Sequence, residues 1–231
     1  MTTSLADAWP PARIRVTTPR LELRLPTEDE LLALADVATE RNHDPATMPF
    51  AMPWSDESPE VIRARLLQWH WSARADWAPD RWNLLLVAFV DGAPVGAQDI
   101  AATDFAGSRS IGSGSWLRGS LQGQGLGTEM RQALLHLAFD GIGAASATSG
   151  AYVDNPASIR VSAKCGYATV GERDVIRRRG ERAPGGVSSE TVSELRFRIE
   201  RAAWLERRRD DIEIAGIDAD VRRMLGVSAA D

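Results

Sequence analysis

The chain is poor in several residue types that other protein classes require. Among its 231 residues are one cysteine, Cys165, and one lysine, Lys164. A single cysteine cannot form an internal disulfide, so the composition excludes a disulfide scaffold and fits a reducing compartment. No apolar run approaches the roughly 18 residues that span a bilayer, and the first residues lack the basic and apolar regions of a signal peptide. We therefore expect a soluble, cytoplasmic protein with no membrane partner.

An excess of positive charge is also absent. The 27 basic and 32 acidic residues leave a formal net charge of -5, and hydrophobic residues make up 44% of the chain. This composition is ordinary for a globular protein and lacks the basic surface of a nucleic-acid-binding protein. The three histidines show no spacing typical of metal ligands. We therefore expect neither a nucleic-acid partner nor a metal site.

Periodicity predicts one α+β domain around a central mixed sheet. Residues 1–12 are predicted to form a flexible polar tail, and residues 13–200 the domain itself. Residues 201–231 are expected to form a C-terminal helix and tail, with a short strand suggested at residues 212–214, packed on the domain or next to it. Within the domain, stretches that alternate at period two are typical of strands, and Asp91-Gly92 is a strong hairpin-turn signal.

The stretch with most chemical content is a glycine-rich turn at residues 118–128, between a predicted strand and an amphipathic helix. Gly123, Gly125 and Gly127 let backbone N–H groups approach a ligand, and the helix N-terminus adds partial positive charge. The turn lacks the lysine of a Walker A motif and the spacing of a Rossmann fingerprint. The turn therefore predicts a diphosphate site whose ligand is neither ATP nor NAD. The alternative is that the glycines merely reverse the direction of the chain.

Three segments carry a family resemblance. They are the turn, read as Gln122-x-x-Gly125-x-Gly127, the Thr-Pro-Arg-Leu-Glu-Leu-Arg segment at 18–24, and the Asn-x-x-Ser helix with its closing Gly-aromatic turn at 154–167. Together they resemble the GNAT superfamily of N-acyltransferases, in its RimJ/RimL-type branch of ribosomal-protein N-terminal acetyltransferase-like proteins. The resemblance extends from residue 18 to residue 199. It implies a mostly antiparallel, twisted sheet with helices on both faces.

The resemblance implies that acetyl-CoA or another acyl-CoA is the co-substrate and lies between two splayed strands. Its pantetheine arm would meet backbone groups of Trp116 and Leu117 and the side chain of Asn155. Asn155 has an alternative reading as only the N-cap of a helix that begins at Pro156. The pyrophosphate would be held by the loop residues Gln122, Gly123, Gln124, Gly125, Leu126, Gly127 and Thr128.

Ser158 is the expected catalytic residue. Its position in this branch often carries a hydroxyl near the thioester sulfur, which can protonate the departing thiolate. The glutamate that related enzymes often carry on the strand before the loop is missing, because residues 111–116 contain no carboxylate. The general base stays unassigned, and the candidates for a proton relay are Asp99, Asp104 and Asp154.

These expectations describe an N-acyltransferase, in the simplest case an N-acetyltransferase, that moves an acyl group to a primary amine by direct attack in a ternary complex. The amine belongs to a small molecule, a protein N-terminus or a lysine. One alternative is a succinyl-CoA-dependent enzyme in which Arg177 or a neighbour pairs the extra carboxylate. Another is a non-catalytic acyl-CoA-binding or regulatory module.

The tryptophan-rich stretch at residues 48–82 and Cys165 lie outside these motifs. The stretch is expected to be core, a wall of the acceptor pocket or a homodimer interface. Cys165 is expected to be a buried packing residue and not a nucleophile.

Overall fold

The computed structural model describes residues 4–227. Its strands are β1 Arg15–Thr17, β2 Glu22–Arg24, β3 Arg81–Val90, β4 Ala93–Thr103, β5 Ser110–Leu117, β6 Ser146–Tyr152, β7 Ala168–Arg179, β8 Ser188–Glu200 and β9 Glu213–Ala215. Its α-helices are α1 Leu5–Ala8, α2 Glu28–Ala38, α3 Pro59–Ala75, α4 Phe105–Ser108, α5 Leu126–His136, α6 Pro156–Lys164, α7 Arg201–Leu205 and α8 Ala219–Met224. Short 3-10 turns lie at Pro10–Arg13, Trp54–Asp56 and Gly119–Leu121, and a π-helical turn at Leu137–Gly141 extends α5.

The strands of the described residues form one sheet in the order β7-β8-β6-β5-β4-β3-β2-β1-β9. Every neighbouring pair is antiparallel except β5 and β6, which run parallel. The turn between β3 and β4 has Asp91 and Gly92 at φ of 50° and 77°, the left-handed geometry of a two-residue hairpin turn. The predicted α+β class, with a mixed and mostly antiparallel sheet, is confirmed.

Helices cover both faces of the sheet. Leu126, Met130 and Leu134 recur on one side of α5 and pack in an apolar cluster on one face. A second cluster on the opposite face contains Leu34 of α2 and Leu66 of α3. The sheet is therefore the middle layer, and the β5–α5 connection leads from the sheet to the helices on one of its faces. This arrangement confirms the predicted placement of helices.

The N-terminal segment differs from the predicted flexible tail. Ser4 and Asp7 form a capping box that begins α1, and Pro11 is buried. The Trp9 ring contacts the Trp77 ring edge-on, with 5.4 Å between centroids. The capping box is a local helix signal, and a prediction made from the polarity of the segment alone does not detect it. Residues 1–3, which belong to the same prediction, lie outside the described residues.

The segment after residue 200 extends the same sheet. β9 pairs with β1, with Ile214 opposite Val16. Val221 of α8 is fully buried, and the Trp82 indole donates to the Leu225 carbonyl at 3.0 Å. The short strand suggested at residues 212–214 is thus present as β9, one residue further along, because the edge of β1 supplies its hydrogen bonds. Residues 228–231 of the predicted tail lie outside the described residues.

Candidate active site

A gap opens between the two parallel strands at the centre of the sheet. The β5–β6 ladder ends at the pair Gly112–Thr148, although β5 continues to Leu117 and β6 to Tyr152. Over these last residues β5 stays paired with β4 and β6 with β8. The two strands are therefore held from the outside while their facing edges separate, which leaves backbone groups free to meet a ligand.

Only alternate residues of β5 direct their backbone groups into this gap. The Arg118 N–H donates to the Val95 carbonyl at 2.8 Å, so it faces β4. Because backbone groups alternate in direction along a strand, those of Trp116 also face β4, whereas those of Ser115 and Leu117 face the gap. The predicted pantetheine contact therefore fits Leu117 but not the backbone of Trp116. Ser115 is the residue that sequence reasoning missed, since motif matching does not give strand orientation.

A buried arginine closes the gap on the side of α5. Arg131 donates to the Ser149 hydroxyl of β6 at 3.0 Å and to the Ser115 hydroxyl of β5 at 3.2 Å. Its guanidinium also lies 5.9 Å from the centre of the Tyr167 ring. The floor of the gap is thus polar and positively charged. No sequence motif pointed to Arg131, because it is one position on an otherwise apolar helix face.

The loop after β5 presents backbone N–H groups at the start of α5. Gly123 and Gly125 have φ of 76° and 85°, a conformation that favours glycine. Within residues 4–227, the N–H groups of Leu126 and Gly127 have no acceptor, as expected in the first turn of a helix. The N–H of Thr128 donates to the Gly125 carbonyl at 3.1 Å and is already used. The predicted anion site therefore retains donors over residues 123–127.

The glutamine side chains of the loop hold its shape. The Gln122 amide donates to the Leu117 carbonyl at 2.8 Å and to the Asn42 carbonyl at 2.7 Å. The Gln124 amide donates to the Ser120 carbonyl at 2.9 Å. Both side chains fold back on the protein, so they fix the backbone that a pyrophosphate would meet and do not themselves point to it.

A buried carboxylate ties the loop to the N-terminal strands. Glu129 of α5 accepts hydrogen bonds from the Thr18 hydroxyl at 2.6 Å, the Arg20 N–H at 3.2 Å and the Arg20 Nε at 2.6 Å. The pKa of Glu129 lies below its ordinary value, since these bonds and the Arg20 charge together outweigh burial, the largest single influence, which raises it. Arg20 also donates to the Gln124 carbonyl at 3.0 Å. The Thr-Pro-Arg motif thus braces the loop, which its sequence position did not indicate.

Asn155 and Ser158 lie at the start of α6, directly after β6. The Asn155 side chain accepts from the Ser158 N–H at 3.1 Å, so the N-cap reading of Asn155 is observed. Ser158 is partly exposed. Ser162, one turn further along α6, is fully buried and its hydroxyl has no partner in the described part of the chain. Of these two residues, only Ser158 is partly exposed.

Two of the three candidate carboxylates are occupied elsewhere. Asp154 accepts two hydrogen bonds from Arg177, at 2.7 and 2.9 Å. Asp104 caps α4 at the far end of β4, where it accepts from the Gly107 N–H. Asp99 of β4 is paired in register with Gly114 of β5 and lies beside the gap-forming strand. It is the one candidate that the fold brings to the site.

Arg177, suggested with its neighbours as the partner of a dicarboxylic donor, is engaged within the protein. Arg177 is buried and is paired with Glu190 as well as with Asp154. Each of its three guanidinium nitrogens is paired with one of these two carboxylates, so a second anion would compete with them. Arg179 is likewise paired, with Asp56. The neighbouring Arg178 is exposed.

The tryptophan-rich stretch divides between two places. The Phe50 and Trp54 rings lie 4.9 Å apart, and Trp54 lies 5.5 Å from Trp116, so this group forms a wall beside β5. Trp77 and Trp82 stack on each other at 5.9 Å and belong to the core on the other face of the sheet. Only the first group fits the predicted acceptor wall, and the second is core.

The wall is held by contacts between the loop of residues 43–57 and the β7–β8 hairpin. Arg179 of β7 pairs with the buried Asp56 at 2.9 Å and donates to the carbonyls of Pro45 and Ala46 at 2.6 and 3.0 Å. Arg182 donates to the backbone of the same loop at 3.3 Å. The hairpin thus fastens the loop over the cleft through long-range polar contacts.

A cavity of about 660 Å³ reaches the gap from the face covered by α3. Trp69 and Asp76 line its outer side, Asn83 lies on its wall, and Gly112 and Thr148 lie at its inner end. These last two residues form the final pair of the β5–β6 ladder. The cavity and the loop therefore approach the gap from different sides, which is the access that two substrates require.

Cys165 lies at the end of α6 and is buried. Burial raises the pKa of its thiol from 9.0 to about 11, so the thiol stays protonated near neutral pH. Within residues 4–227 no group of three or more histidine, cysteine or acidic side chains could hold a metal. In the same range no helix is long and apolar enough to cross a bilayer.

The comparisons with known proteins agree with this geometry. The family model of the acetyltransferase (GNAT) domain matches residues 20–168. The chain belongs to the GNAT acetyltransferase family, and it is an acyl-CoA-dependent N-acyltransferase. A gap between splayed strands with a helix N-terminus beside it is the arrangement that the sequence motifs of this family predicted.

Solved structures share its fold. RimJ from Mycobacterium smegmatis, in complex with CoA-disulfide, is 19% identical, with a TM-score of 0.61 over 89% of this chain and 97% of that chain. RimL, a ribosomal L7/L12 alpha-N-protein acetyltransferase, is also 19% identical, with a TM-score of 0.59 over 79% and 95%. The spermidine/spermine N-acetyltransferase SpeG from Vibrio cholerae is 16% identical, with a TM-score of 0.58 over 81% and 98%. These likenesses show the fold, and the RimJ/RimL-type branch stays a prediction.

Proposed function

We propose that this protein transfers the acetyl group of acetyl-CoA directly to a primary amine while both substrates are bound. The observation that carries the proposal is the gap beyond Gly112–Thr148, which meets the loop on one side and the cavity on the other. Holding both reactants in one cleft replaces an encounter in solution by an oriented reaction, which by itself supplies several kcal/mol of the barrier.

Each donor group has a proposed place. The free N–H groups over residues 123–127 receive the pyrophosphate at the positive end of α5. The backbone of Ser115 and Leu117 receives the pantetheine amides, and a backbone N–H of β5 stabilises the oxyanion. Ser158 donates a hydrogen bond or its proton to the departing thiolate. Asn155 caps the start of α6 and thereby helps to position Ser158.

Direct transfer is favoured over a covalent route. A cysteine nucleophile must be a thiolate with access to the substrate. Cys165 is 2% exposed, and its raised pKa keeps it a thiol. Its sulfur faces the Thr128 carbonyl at 3.8 Å and no base. The amine itself is therefore the proposed nucleophile toward the thioester.

The acetyl donor is favoured over succinyl-CoA. An additional carboxylate on the donor needs a cationic partner, and Arg177 and Arg179 are both paired within the protein. The proposed acceptor is a primary amine. The names of the similar proteins indicate two kinds, a protein N-terminus for RimL and a polyamine for SpeG. Lysine side chains remain in the same chemical class.

Cytoplasmic location and a homodimer complete the proposal. The single cysteine supports a reducing compartment. Trp69 and Trp71 are 42% and 47% exposed on α3, which is unusual for large aromatic rings and supports a subunit contact there. Light scattering after size-exclusion chromatography measures the mass. A monomer of 25.2 kDa at all concentrations would remove the dimer from the proposal.

The function is tested by finding the donor and then the acceptor. Mass spectrometry of the purified protein identifies any retained CoA species. Release of free CoA thiol is then measured with acetyl-CoA and a panel of primary amines that includes spermidine and peptides with free N-termini. We expect turnover with acetyl-CoA and intersecting initial-rate lines. Tight acetyl-CoA binding without turnover on any amine would favour the non-catalytic alternative, and parallel lines would contradict direct transfer.

A further inference from the structure

Strand β5 lacks a carboxylate where the reaction needs a proton acceptor, and its neighbour supplies one. Gly112 and Gly114 leave the α3-facing side of β5 without side chains at the gap. Asp99 stands opposite Gly114 in the register of β4 and β5. A Cβ atom added at Gly114 would lie 2.7 Å from the Asp99 Oδ1 atom. The Asp99 carboxylate therefore fills the space that a side chain of residue 114 would occupy.

We propose that Asp99 is the proton acceptor for the attacking amine, and that Gly114 is the residue that gives its carboxylate access to the gap. This inference rests on the proposed function. Asp99 belongs to β4, one strand away from the gap, so only a glycine at position 114 leaves its carboxylate uncovered on this face. The adjacent strand β4 thus supplies the carboxylate that β5 lacks.

The proposed route of the amine passes this carboxylate. Asp99 and Ala101 alternate onto the same face of β4, and Ala101 lines the cavity that reaches Gly112. Asp99 lies two residues from Ala101, opposite Gly114, so an amine that passes from the cavity beyond Gly112 into the gap comes to the level of Asp99. Asp99 is partly buried and has no ion pair with another described residue.

The surroundings of Asp99 suit a base. Burial raises its pKa above the ordinary value of 3.8, and the Arg131 charge and the backbone N–H groups of Asp99 and Gly114 oppose that rise. The histidine of α3 that faces the sheet, His70, stays neutral near pH 7, because burial lowers its pKa to about 4. The other carboxylate at the cavity, Asp76, lies at the end of α3 on the outer side of the cavity.

The step balances as follows. The amine nitrogen forms a bond to the thioester carbon, and the carbonyl π electrons move to the oxygen. The Asp99 carboxylate takes the proton that the nitrogen loses. When the oxyanion reforms the carbonyl, the carbon–sulfur bond breaks and its electron pair leaves with the thiolate of CoA. The thiolate is reprotonated and Asp99 returns its proton to solvent, so the products are the amide and free CoA.

The test uses Asp99→Asn in the full chain, with acetyl-CoA and the amine that gives the highest rate in the panel. We expect kcat to fall by about 10²- to 10⁴-fold, the range of general-base effects, while the Kd for acetyl-CoA stays within about twofold. Asp36→Asn, an exposed carboxylate on α2 paired with Arg63, is the matched control and keeps its activity. A kcat for Asp99→Asn above about a tenth of the wild-type value would overturn the proposal.

The pH profile separates a chemical role from a structural one. The wild-type rate falls as the pH drops through the raised pKa of Asp99, because protonation removes the acceptor; in Asp99→Asn this acid limb disappears. Persistence of the limb in the variant would assign it to another group and contradict the proposal.

A relocated carboxylate gives the second test. In Asp99→Gly combined with Gly114→Asp, the crowding at position 114 is gone and the carboxylate stands on β5 itself. We expect at least a tenfold higher kcat than in Asp99→Gly alone, and equal rates in the two folded variants would contradict the proposal. Wild-type inactivity on the whole panel would instead remove the proposed function, whereas wild-type turnover with an unaffected Asp99→Asn would remove only this role of Asp99.

Discussion

The two halves of the cleft are built in different ways. The donor half consists of the loop of residues 118–125, the first turn of α5 and the Thr18–Arg20 segment, and it offers a ligand mainly backbone groups. The acceptor half consists of the loop of residues 43–57, α3 and the β7–β8 hairpin, and it offers side chains. In the proposed function, the donor half binds CoA, which is the same in every acyl donor, and the acceptor half surrounds the amine, which varies.

Each half contains a buried carboxylate paired with an arginine. In the donor half Glu129 is paired with Arg20, which remains 47% exposed beside the loop. In the acceptor half Asp56 and Arg179 are both buried, and they join segments 123 positions apart. The donor pair therefore supports a loop that is already shaped by glycines, whereas the acceptor pair helps to join two segments that are far apart in the sequence. The two pairs should have separable effects.

The largest effect is expected from breaking the acceptor pair. Asp56→Ala leaves the Arg179 charge buried and unpaired, which costs about 3–5 kcal/mol of the free energy of unfolding. Arg173→Ala removes an exposed arginine of the same strand and should cost no more than about 1 kcal/mol. Denaturant unfolding measures both. If Asp56→Ala also weakened acetyl-CoA binding more than amine binding, the division into halves would be wrong.

The substitution Gly125→Glu should remove most of the affinity of the protein for acetyl-CoA. The new side chain brings bulk and negative charge to a position with φ of 85°, where the backbone must approach a pyrophosphate. We expect a loss of about a hundredfold in acetyl-CoA affinity by calorimetry. Gly185→Glu, at φ of 90° in the β7–β8 connection, carries the same backbone strain without contact to the loop and is the control. Equal losses in both variants would point to misfolding.

Arg20→Ala sharpens the comparison from the donor side. Glu129 keeps its bond from Thr18, but the loop loses the hydrogen bond to Gln124 and a positive charge. Because Arg20 is half exposed, we expect a moderate rise of about tenfold in the Kd for acetyl-CoA. The KM for the amine should stay unchanged when acetyl-CoA is saturating. A shift in the amine KM alone would place Arg20 in the acceptor half.

Ser158→Ala tests the hydroxyl that is proposed to assist the leaving group. We expect kcat to fall by about tenfold or somewhat more, while the acetyl-CoA Kd stays the same, since the hydroxyl assists only as the thiolate departs. Ser162→Ala removes the buried, unpartnered hydroxyl of the same helix and should leave kcat unchanged. The reverse result would transfer the role to Ser162.

The smallest effect is expected at Cys165. Cys165→Ser should retain most of its activity, because the thiol is buried and no base faces it. A pKa of about 11 leaves roughly a hundredth of the thiolate of an ordinary thiol near neutral pH, so iodoacetamide should alkylate the folded protein slowly. An acetylated Cys165 trapped by mass spectrometry would falsify direct transfer.

The donor half was predictable because its signals are local. The glycines at 123 and 125 adopt the left-handed φ values that the turn requires, and Asn155 caps α6 as its position before Pro156 indicates. Each of these features depends on residues a few positions apart. The predicted contacts of the loop with CoA stay predictions, together with the division into domains.

The sequence failed where partners lie far apart along the chain. It suggested Arg177 for an extra carboxylate, but Asp154 and Glu190 occupy its guanidinium. It assigned a pantetheine contact to the Trp116 backbone, but the β4 register turns that backbone away from the gap. Pairings of this kind depend on the register between strands. A shift of one residue turns each side chain to the other face of the sheet, and no local sequence pattern determines the register.

By itself, then, the sequence determined the elements: the class of the domain, the strand before the loop and the helix after it, the glycine turn and the family of the chain. Only the tertiary structure decided where the gap opens, which carboxylate stands beside it and which arginines are already paired. The physical reason is that a turn or a cap is stabilised by its own neighbours. The gap at Gly112–Thr148 exists because β4 and β8, from distant parts of the chain, hold β5 and β6 apart.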